Sequence, residues 1–315
     1  MAKKILVTGG AGFVGSNLAL TLQERFPKHD LIVIDDFRSG HFRNLEGFKG
    51  DFIARDLSQV CLTELFGKTT FDAIFHLSSI TDTTEHDQYK QTYDNVESLR
   101  HILKFIAGKK TSLVYASSAA TYGIAAGVNR LSDPRKPANV YGFSKVQLEN
   151  LSAQFLREHP TQKVVGLRYF NVYGPRETHK KAAASMTYQL AHQMLQGKSP
   201  RVFKHGEQKR DFVYVKDIVE FTIAGFTKAK KSGVYNAGSG KPRSFNDIIQ
   251  TLNKVLNLKI EADYFDNPYP FYQPHTEADL TQTKKELKTE PQYTLEKGIE
   301  DYFKSGWLTL TPPKV

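Results

Sequence analysis

Short apolar runs alternate with amphipathic stretches through the first half of the chain. The apolar runs predict β-strands at Lys4–Thr8, Leu31–Asp35, Asp51–Ala54, Ala73–Leu77, Ser112–Ala116 and Val164–Tyr169. Helical patterns fill most of the intervals, for example Val14–Arg25, Val96–Ala107 and Tyr141–Glu158. Strands that alternate with helices are typical of βαβ units, in which helices cover both faces of a parallel sheet. The pattern therefore predicts a doubly wound α/β fold.

The alternation loosens beyond about Phe170. A Gly174–Pro175 turn precedes a predicted helix at Ala184–Gln196, and the later segments Asp211–Val215 and Gly233–Ala237 have the pattern of strands. The region Ala262–Thr276 is rich in Pro, Tyr and Asp, which predicts a loop. No repeat or low-complexity linker separates the two parts, so we expect them to be interleaved.

Composition narrows the class of protein. With 315 residues, of which 40% are hydrophobic and 24% charged, the chain has enough apolar side chains for a packed core. The formal charge of +10 fits either solvated lysines or a site for an anionic partner, and its cationic clusters are too short to predict nucleic-acid binding. One cysteine, Cys61, and no apolar stretch of membrane length predict a cytoplasmic protein without a membrane partner.

A glycine-rich segment joins the first predicted strand to the first predicted helix. Gly9, Gly12 and Gly15 lie where glycine permits a tight turn and lets the backbone approach a pyrophosphate at a helix N-terminus. Asp35 ends the second strand 20 residues later, where a carboxylate would accept a hydrogen bond from an adenosine ribose hydroxyl. The segment predicts binding of a nicotinamide dinucleotide, one per subunit.

The charges after the second strand leave NAD and NADP both open. Asp35 and Asp36 would repel a 2′-phosphate, which favours NAD. Arg38 would instead pair with that phosphate, which favours NADP.

Tyr141 and Lys145 begin a predicted helix and lie on one of its faces, since they are four residues apart. A nearby ammonium and a cationic nicotinamide would favour the phenolate, so that the tyrosine can accept a proton from a substrate alcohol. Ser118 follows a predicted strand, at the sheet edge where α/β folds bind ligands. Its hydroxyl would bind the same substrate oxygen.

The glycine segment, Ser118 and the pair Tyr141/Lys145 resemble the extended short-chain dehydrogenase/reductase family over nearly the whole chain. The resemblance implies a Rossmann domain with a smaller, interleaved C-terminal domain for a sugar nucleotide. The implied dinucleotide-binding domain is 1–170 with about 211–238, and the implied substrate domain is 171–210 with 239–315.

Longer motifs narrow the resemblance to the ADP-heptose 6-epimerases. They are residues 116–123, 139–145 and 168–177, the last followed by His179 and Lys180. The implied reaction converts ADP-D-glycero-D-manno-heptose to its L-glycero epimer through a transient 6-keto sugar. The run 118–121 lacks the Asp-Glu pair of sugar-nucleotide 4,6-dehydratases, which argues against dehydration. Two alternatives stay open, a UDP- or GDP-sugar 4-epimerase and a non-catalytic protein that senses a dinucleotide.

The resemblance also implies roles for single residues. Tyr141 and Lys180 would be the two acid/base groups, with Lys181 as the alternative to Lys180, and Lys145 would hold the nicotinamide ribose and tune Tyr141. The expected cofactor contacts are Gly9, Gly12, Phe13, Val14, Gly15, Asp35, Asp36, Arg38, Asp56, Leu77, Ser79, Asn95 and Lys145. The expected substrate contacts are Asn171, Gln189, Phe203, Arg210 and Tyr272. Ala182 and Gln189 depart from the family's Ser and His. A homo-oligomer is implied, and no histidine spacing predicts a metal.

Overall fold

The computed structural model describes residues 3–82, 87–124, 127–266 and 275–310. Its strands are β1 (Lys3–Thr8), β2 (His29–Asp35), β3 (Asp51–Ala54), β4 (Ala73–His76), β5 (Ser112–Ser118), β6 (Val128–Asn129), β7 (Val164–Tyr169), β8 (Asn171–Tyr173), β9 (Arg201–Phe203), β10 (Lys209–Arg210), β11 (Phe212–Tyr214), β12 (Gly233–Ala237), β13 (Arg243–Ser244), β14 (Asp263–Phe265) and β15 (Glu277–Ala278). Its α-helices are α1 (Phe13–Arg25), α2 (Leu62–Phe66), α3 (Gln88–Ile106), α4 (Val140–Glu158), α5 (Met186–Leu195), α6 (Val215–Thr227), α7 (Phe245–Val255), α8 (Thr281–Leu287) and α9 (Leu295–Lys304).

Seven strands form one parallel sheet in the order β12-β7-β5-β4-β1-β2-β3. Side chains alternate between its faces, so Val7 and Leu6 belong to different core clusters. Because both faces are covered, the central strands carry buried apolar side chains on both faces, such as Ile5 and Leu6 of β1. The predicted doubly wound Rossmann fold is confirmed.

Helices cover the two faces of this sheet. Helices α1 and α6 contact each other on one face, and α3 and α4 contact each other on the other face together with α2. Strand β1 pairs with β2 on one side and β4 on the other, so the connections diverge there and leave a crevice at the carboxyl ends of the strands.

Two predicted elements differ from the structure. Helix α3 begins at Gln88 and not at Val96, because Asp87 caps it by accepting a hydrogen bond from Lys90 N. Its first turns bury polar side chains, such as Gln91, which hide the helical pattern. The predicted loop 262–276 contains β14, which pairs with β9 in parallel register, so that part of the prediction is wrong. Residues 267–274 lie outside the described ranges.

The smaller part of the molecule is built on a third core cluster, from helices α5, α7 and α9 and strands such as β11. Two-stranded pairings hold its irregular segments, among them β8 with β11 and β6 with β15. Strand β12 lies at the edge of the large sheet, beside β7. The domain boundaries drawn from the sequence stay a prediction.

Among the described residues, no helix has the length and apolar character needed to cross a membrane.

Candidate active site

A cleft of about 520 Å³ lies at the carboxyl ends of β1, β2, β4 and β5, where the strand order reverses. It brings together segments that are far apart in sequence, from the glycine loop to the chain after β8. Among its lining residues are Gly9, Gly12, Phe13, Val14, Gly15, Asp35, Asp36, Arg38, Asp56, Leu77, Ser79, Asn95, Tyr141, Lys145 and Lys180. Every cofactor contact expected from the sequence, and both expected acid/base groups, therefore border one space.

The glycine loop needs its glycines for steric reasons. Gly9 has φ +68°, and a Cβ there would lie 2.6 Å from Ser78 N. A Cβ on Gly15 would lie 2.0 Å from Gly9 O, so the first turn of α1 could not pack against the loop. Helix α1 begins at Phe13 without a side-chain cap, which leaves first-turn N–H groups for an anion in the cleft.

Asp35 holds this loop in place. Its Oδ2 accepts a hydrogen bond from Ala11 N at 2.9 Å, and its Oδ1 accepts one from Phe37 N at 2.8 Å. Burial raises the pKa of Asp35, while these backbone donors act in the opposite direction. A carboxylate has about four acceptor positions, so Asp35 keeps capacity for a ribose hydroxyl.

Arg38 is enclosed by acidic side chains. Its guanidinium contacts Asp36 at 2.8 Å and Asp56 at 2.5 Å, and it also pairs with Asp94 of α3. Three carboxylates around one guanidinium give this group of four side chains a net charge of −2. The donors of Arg38 are thus directed at carboxylates of its own chain.

Tyr141, Lys145 and Ser118 meet at the other end of the cleft. Asn139 caps α4 by accepting a hydrogen bond from Gly142 N, which fixes where the helix begins beside the end of β5. Lys145 is 1% exposed, and its Nζ donates to Ala116 O at 3.0 Å. Burial lowers the pKa of Lys145 to about 7. The Nζ lies 5.5 Å from the ring centroid of Tyr141.

The phenol of Tyr141 is not acidified by the protein alone. Burial raises its pKa, and a hydrogen bond with the Ser118 side chain opposes that change. The Ser118 hydroxyl also accepts from Ala120 N at 3.1 Å, which orients it. The two hydroxyls predicted to share one substrate oxygen are therefore neighbours.

Lys180 enters the cleft from a 3₁₀ segment, Thr178–Ala183. Buried Glu177 anchors this segment by accepting hydrogen bonds from Gly174 N, Ser185 N and Ser185 Oγ. Burial lowers the pKa of Lys180, while nearby Glu177 and Asp82 raise it. Its Nζ lies 5.9 Å from the Phe13 ring centroid.

Lys181, the alternative second acid/base group, also borders the cleft but is exposed and has φ +50°. Its neighbour is half-buried. A desolvated amine exchanges protons nearer neutrality than a solvated one, so the structure favours Lys180 for acid/base work.

The predicted substrate contacts are placed elsewhere. Asn171 is exposed at the start of β8, and Gln189 of α5 donates to Ala184 O. Phe203 packs edge-on against Phe265, and Arg210 donates to Lys209 O. None of these four is among the residues that line the cleft. Tyr272 lies outside the described residues.

Sequence reasoning missed several residues that shape the cleft. Asp94 pairs with Arg38, Glu177 anchors the Lys180 segment, and Glu149 of α4 receives a hydrogen bond from Ser117 of β5. Glu149 follows Lys145 by four residues, so the helical spacing that identified the Tyr141 pair was a signal for it. Asp94 and Glu177 had no comparable local signal.

Histidines have structural positions here. His76 is buried with its Nδ1 2.8 Å from Thr8 Oγ1, and burial with the charge of Lys145 lowers its pKa to about 3. Within the described ranges, no group of three or more His, Cys, Asp or Glu side chains is arranged to hold a metal ion.

A family model described as the NAD dependent epimerase/dehydratase family matches residues 5–238. Among solved structures, an ADP-L-glycero-D-manno-heptose-6-epimerase of Helicobacter pylori is 41% identical, with a TM-score of 0.89 and 96% of each chain covered.

Two further structures are more distant. A UDP-glucose 4-epimerase of Thermotoga maritima, solved with UDP-glucose, is 27% identical with a TM-score of 0.87 over 96% of this chain and 99% of that one. A UDP-glucuronic acid 4-epimerase of Bacillus cereus, solved with UDP-glucuronic acid and NAD, is 27% identical with a TM-score of 0.84 and the same coverage.

Proposed function

Because the chain belongs to the NAD-dependent epimerase/dehydratase family, we propose that it is an epimerase that converts ADP-D-glycero-D-manno-heptose to ADP-L-glycero-D-manno-heptose. Two observations support this substrate over other sugar nucleotides. The 41% identity to the H. pylori ADP-heptose epimerase exceeds the 27% identity to the two UDP-sugar 4-epimerases. The resemblance rested on the motif 168–177 with His179 and Lys180. In the structure, Lys180 borders the same cleft as Tyr141.

The cleft fits a nicotinamide dinucleotide on steric and electrostatic grounds. The glycine at position 15 lets the first turn of α1 pack closely against the glycine loop, which a Cβ there would prevent, and the uncapped start of α1 supplies N–H donors for a pyrophosphate. A nicotinamide held there would supply hydride transfer from and to the reacting carbon of the sugar.

We assign NAD and not NADP to this cleft. A 2′-phosphate beside the ribose would meet the excess negative charge of Asp36, Asp56 and Asp94. Arg38, which would otherwise attract the phosphate, is already paired with all three carboxylates.

Tyr141 is assigned the proton transfers on one face of the reacting carbon. Its Oη accepts the proton of the sugar hydroxyl as the ketone forms from one epimer, and in the reverse reaction it returns that proton to the same oxygen. Ser118 holds the same oxygen, since its hydroxyl already contacts Tyr141. Lys145 holds the ribose and places an ammonium beside the phenol, 5.5 Å from its ring centroid.

Lys180 is assigned the proton transfers on the second face of the reacting carbon. Its position in the cleft is the main observation in support of the proposal. After the ketone has turned, its oxygen needs a proton donor apart from Tyr141, and the ammonium of Lys180 gives that proton as the alcohol forms. The proton held by Tyr141 then returns to Lys180 through solvent before the next turnover. Lys180 comes from a different part of the chain and borders the same cleft. Its pKa is lowered by burial, as a proton-exchanging amine requires.

The test is a parallel incubation with ADP-D-glycero-D-manno-heptose, UDP-glucose and GDP-mannose, followed by chromatography of the products. We expect conversion of the ADP-heptose alone. Conversion of a UDP- or GDP-sugar in its place would establish the alternative 4-epimerase. If all three sugars are recovered unchanged from protein that binds NAD, the chain is a non-catalytic dinucleotide sensor.

A further inference from the structure

Three residues of α4, spaced four apart, bind the last three residues of β5. The Ser118 side chain lies beside the phenol of Tyr141, where its hydrogen bonding lowers the pKa of the phenol, and Lys145 Nζ donates to Ala116 O at 3.0 Å. One turn further, the Oγ of Ser117 donates to Glu149 Oε1 at 2.6 Å. A spacing of four places the three helix residues on one stripe, and that stripe faces the strand end. Two of these contacts involve acid/base or cofactor residues, and the third does not.

Glu149 is a buried carboxylate with a full set of partners. It is 5% exposed, and Arg168 of β7 binds both of its oxygens, at 2.9 and 2.7 Å. Arg135 also donates to it, at 3.3 Å. A bidentate pair between buried groups fixes orientation as well as distance. Glu149 therefore ties helix α4 to strands β5 and β7 at once.

The same network reaches the smaller part of the molecule. The guanidinium of Arg168 lies 4.5 Å from the Tyr122 ring centroid, and Tyr122 OH donates to Asn236 Oδ1 at 2.7 Å. Asn236 in turn donates to Asn129 O and Asp279 O, which adjoin the β6–β15 pair. The position of α4 is thus coupled to segments beyond the large sheet.

We propose that Glu149 is a positioning residue for the reaction. With Ser117 and Arg168 it holds α4 in register with the end of β5, so that Tyr141 keeps its contact with Ser118. Glu149 touches neither the sugar nor the nicotinamide in this scheme, and it acts through Tyr141. The inference rests on the proposed function for its kinetic consequence, but its structural consequence can be measured without a sugar.

Two variants weaken the contact between Glu149 and the end of β5 to different extents. Ser117→Ala deletes one hydrogen bond and no charge, and Glu149→Gln removes the charge that holds Arg168 and Arg135. Glu158→Gln is the matched control, because Glu158 is on the same helix but exposed, and Gln154 donates to it. Melting temperature and NAD affinity are measured first, so that folded, cofactor-binding protein is compared throughout.

The first measurement is the pKa of Tyr141 in NAD-loaded protein, from the phenolate absorbance near 295 nm after subtraction of a Tyr141→Phe sample. The chain has 15 tyrosines, so this subtraction isolates one of them. Loss of register weakens the Ser118 contact, which lowers the pKa of Tyr141 in the intact protein. We therefore expect a higher pKa in Ser117→Ala and Glu149→Gln and no change in Glu158→Gln.

The second measurement is turnover of whichever sugar nucleotide the wild type converts. A displacement of reacting groups by about 1 Å costs up to about hundredfold in rate, so we expect kcat to fall about tenfold or more in Glu149→Gln with KM within about twofold. An unchanged Tyr141 titration and unchanged kcat in both variants, when folded, would refute the positioning role. A wild type that converts no sugar would refute the proposed function, while the titration would still decide the role of Glu149.

Discussion

Three acidic side chains surround Arg38, and we expect the charge of each to influence whether the cleft binds NAD or NADP. Asp36→Asn removes one of three carboxylates and leaves Arg38 paired with Asp56 and Asp94. The glycine loop is not altered, because it is held by Asp35. We expect the substitution to shift affinity toward NADP without a large effect on NAD.

The size of the shift follows from the geometry. The side chains of Asp36 and Asp56 are about one third exposed, at 30% and 32%, so a high effective dielectric applies. At about 6 Å and an effective dielectric of about 40, one pair of unit charges interacts by about 1.4 kcal/mol, which is about tenfold in affinity. The excess of two charges in the wild type then disfavours NADP by about hundredfold, and Asp36→Asn recovers about tenfold of that.

The assay is calorimetric titration of protein freed of nucleotide with NAD and with NADP, at about 0.05 M and 0.5 M salt. The wild-type preference for NAD should shrink at high salt, since the screening length falls well below 10 Å. Asp30→Asn is the control, because Asp30 is exposed near the opposite end of β2, where it pairs with Lys4 at 3.8 Å. Equal wild-type affinities at low salt, or equal ratios in the two variants, would refute the electrostatic argument.

Three further outcomes are expected. Gly15→Ala should weaken NAD binding by more than about hundredfold in calorimetry, because its Cβ would lie 2.0 Å from Gly9 O; near-native affinity would contradict this. Lys180→Met should reduce epimerisation by about 10²-fold or more, whereas Lys181→Met should retain it, and the reverse order would exchange their roles. Burial raises the pKa of Glu177 in the folded protein above its ordinary value of 4.5. The stability that its protonated carboxyl contributes is therefore lost as pH rises from about 4.5 through the folded-state pKa. The melting temperature of Glu177→Gln relative to wild type should therefore increase from pH 5 to pH 7.5 in thermal scans, and a pH-independent difference would exclude this linkage.

The elements that the sequence predicted well are those whose pattern is local. Strand β7 begins and ends where the apolar run does, because a strand buried on both faces has few polar residues. Strand β3, at the exposed edge of the sheet, also has its predicted bounds. Gly15 and Lys145 were found for the same reason, since their spacing in sequence fixes their neighbours within one turn or helix. In the structure, Gly15 lies against Gly9 and Lys145 lies beside Tyr141.

The features that sequence reasoning missed depend on distant partners. Strand β14 has only three residues, too few for a strand pattern, and it is a strand because β9 offers its edge. Asp94 belongs to the cleft because α3 places it beside Arg38, which is 56 residues away. The burial of Lys180 depends on a 3₁₀ segment whose anchor, Glu177, is itself buried. No local period encodes these contacts.

Asp35 shows how a correct motif can carry a different physical role from the one first given to it. From the sequence, we expect Asp35 to accept a hydrogen bond from the adenosine ribose and, together with Asp36, to repel a 2′-phosphate. In the structure both of its oxygens bind backbone N–H groups, one of them within the glycine loop. The carboxylate of Asp35 therefore also stabilises the conformation of the glycine loop. We therefore attribute the selection against a 2′-phosphate to Asp36, Asp56 and Asp94. Their shared partner is Arg38, whose charge favoured NADP when only the sequence was considered.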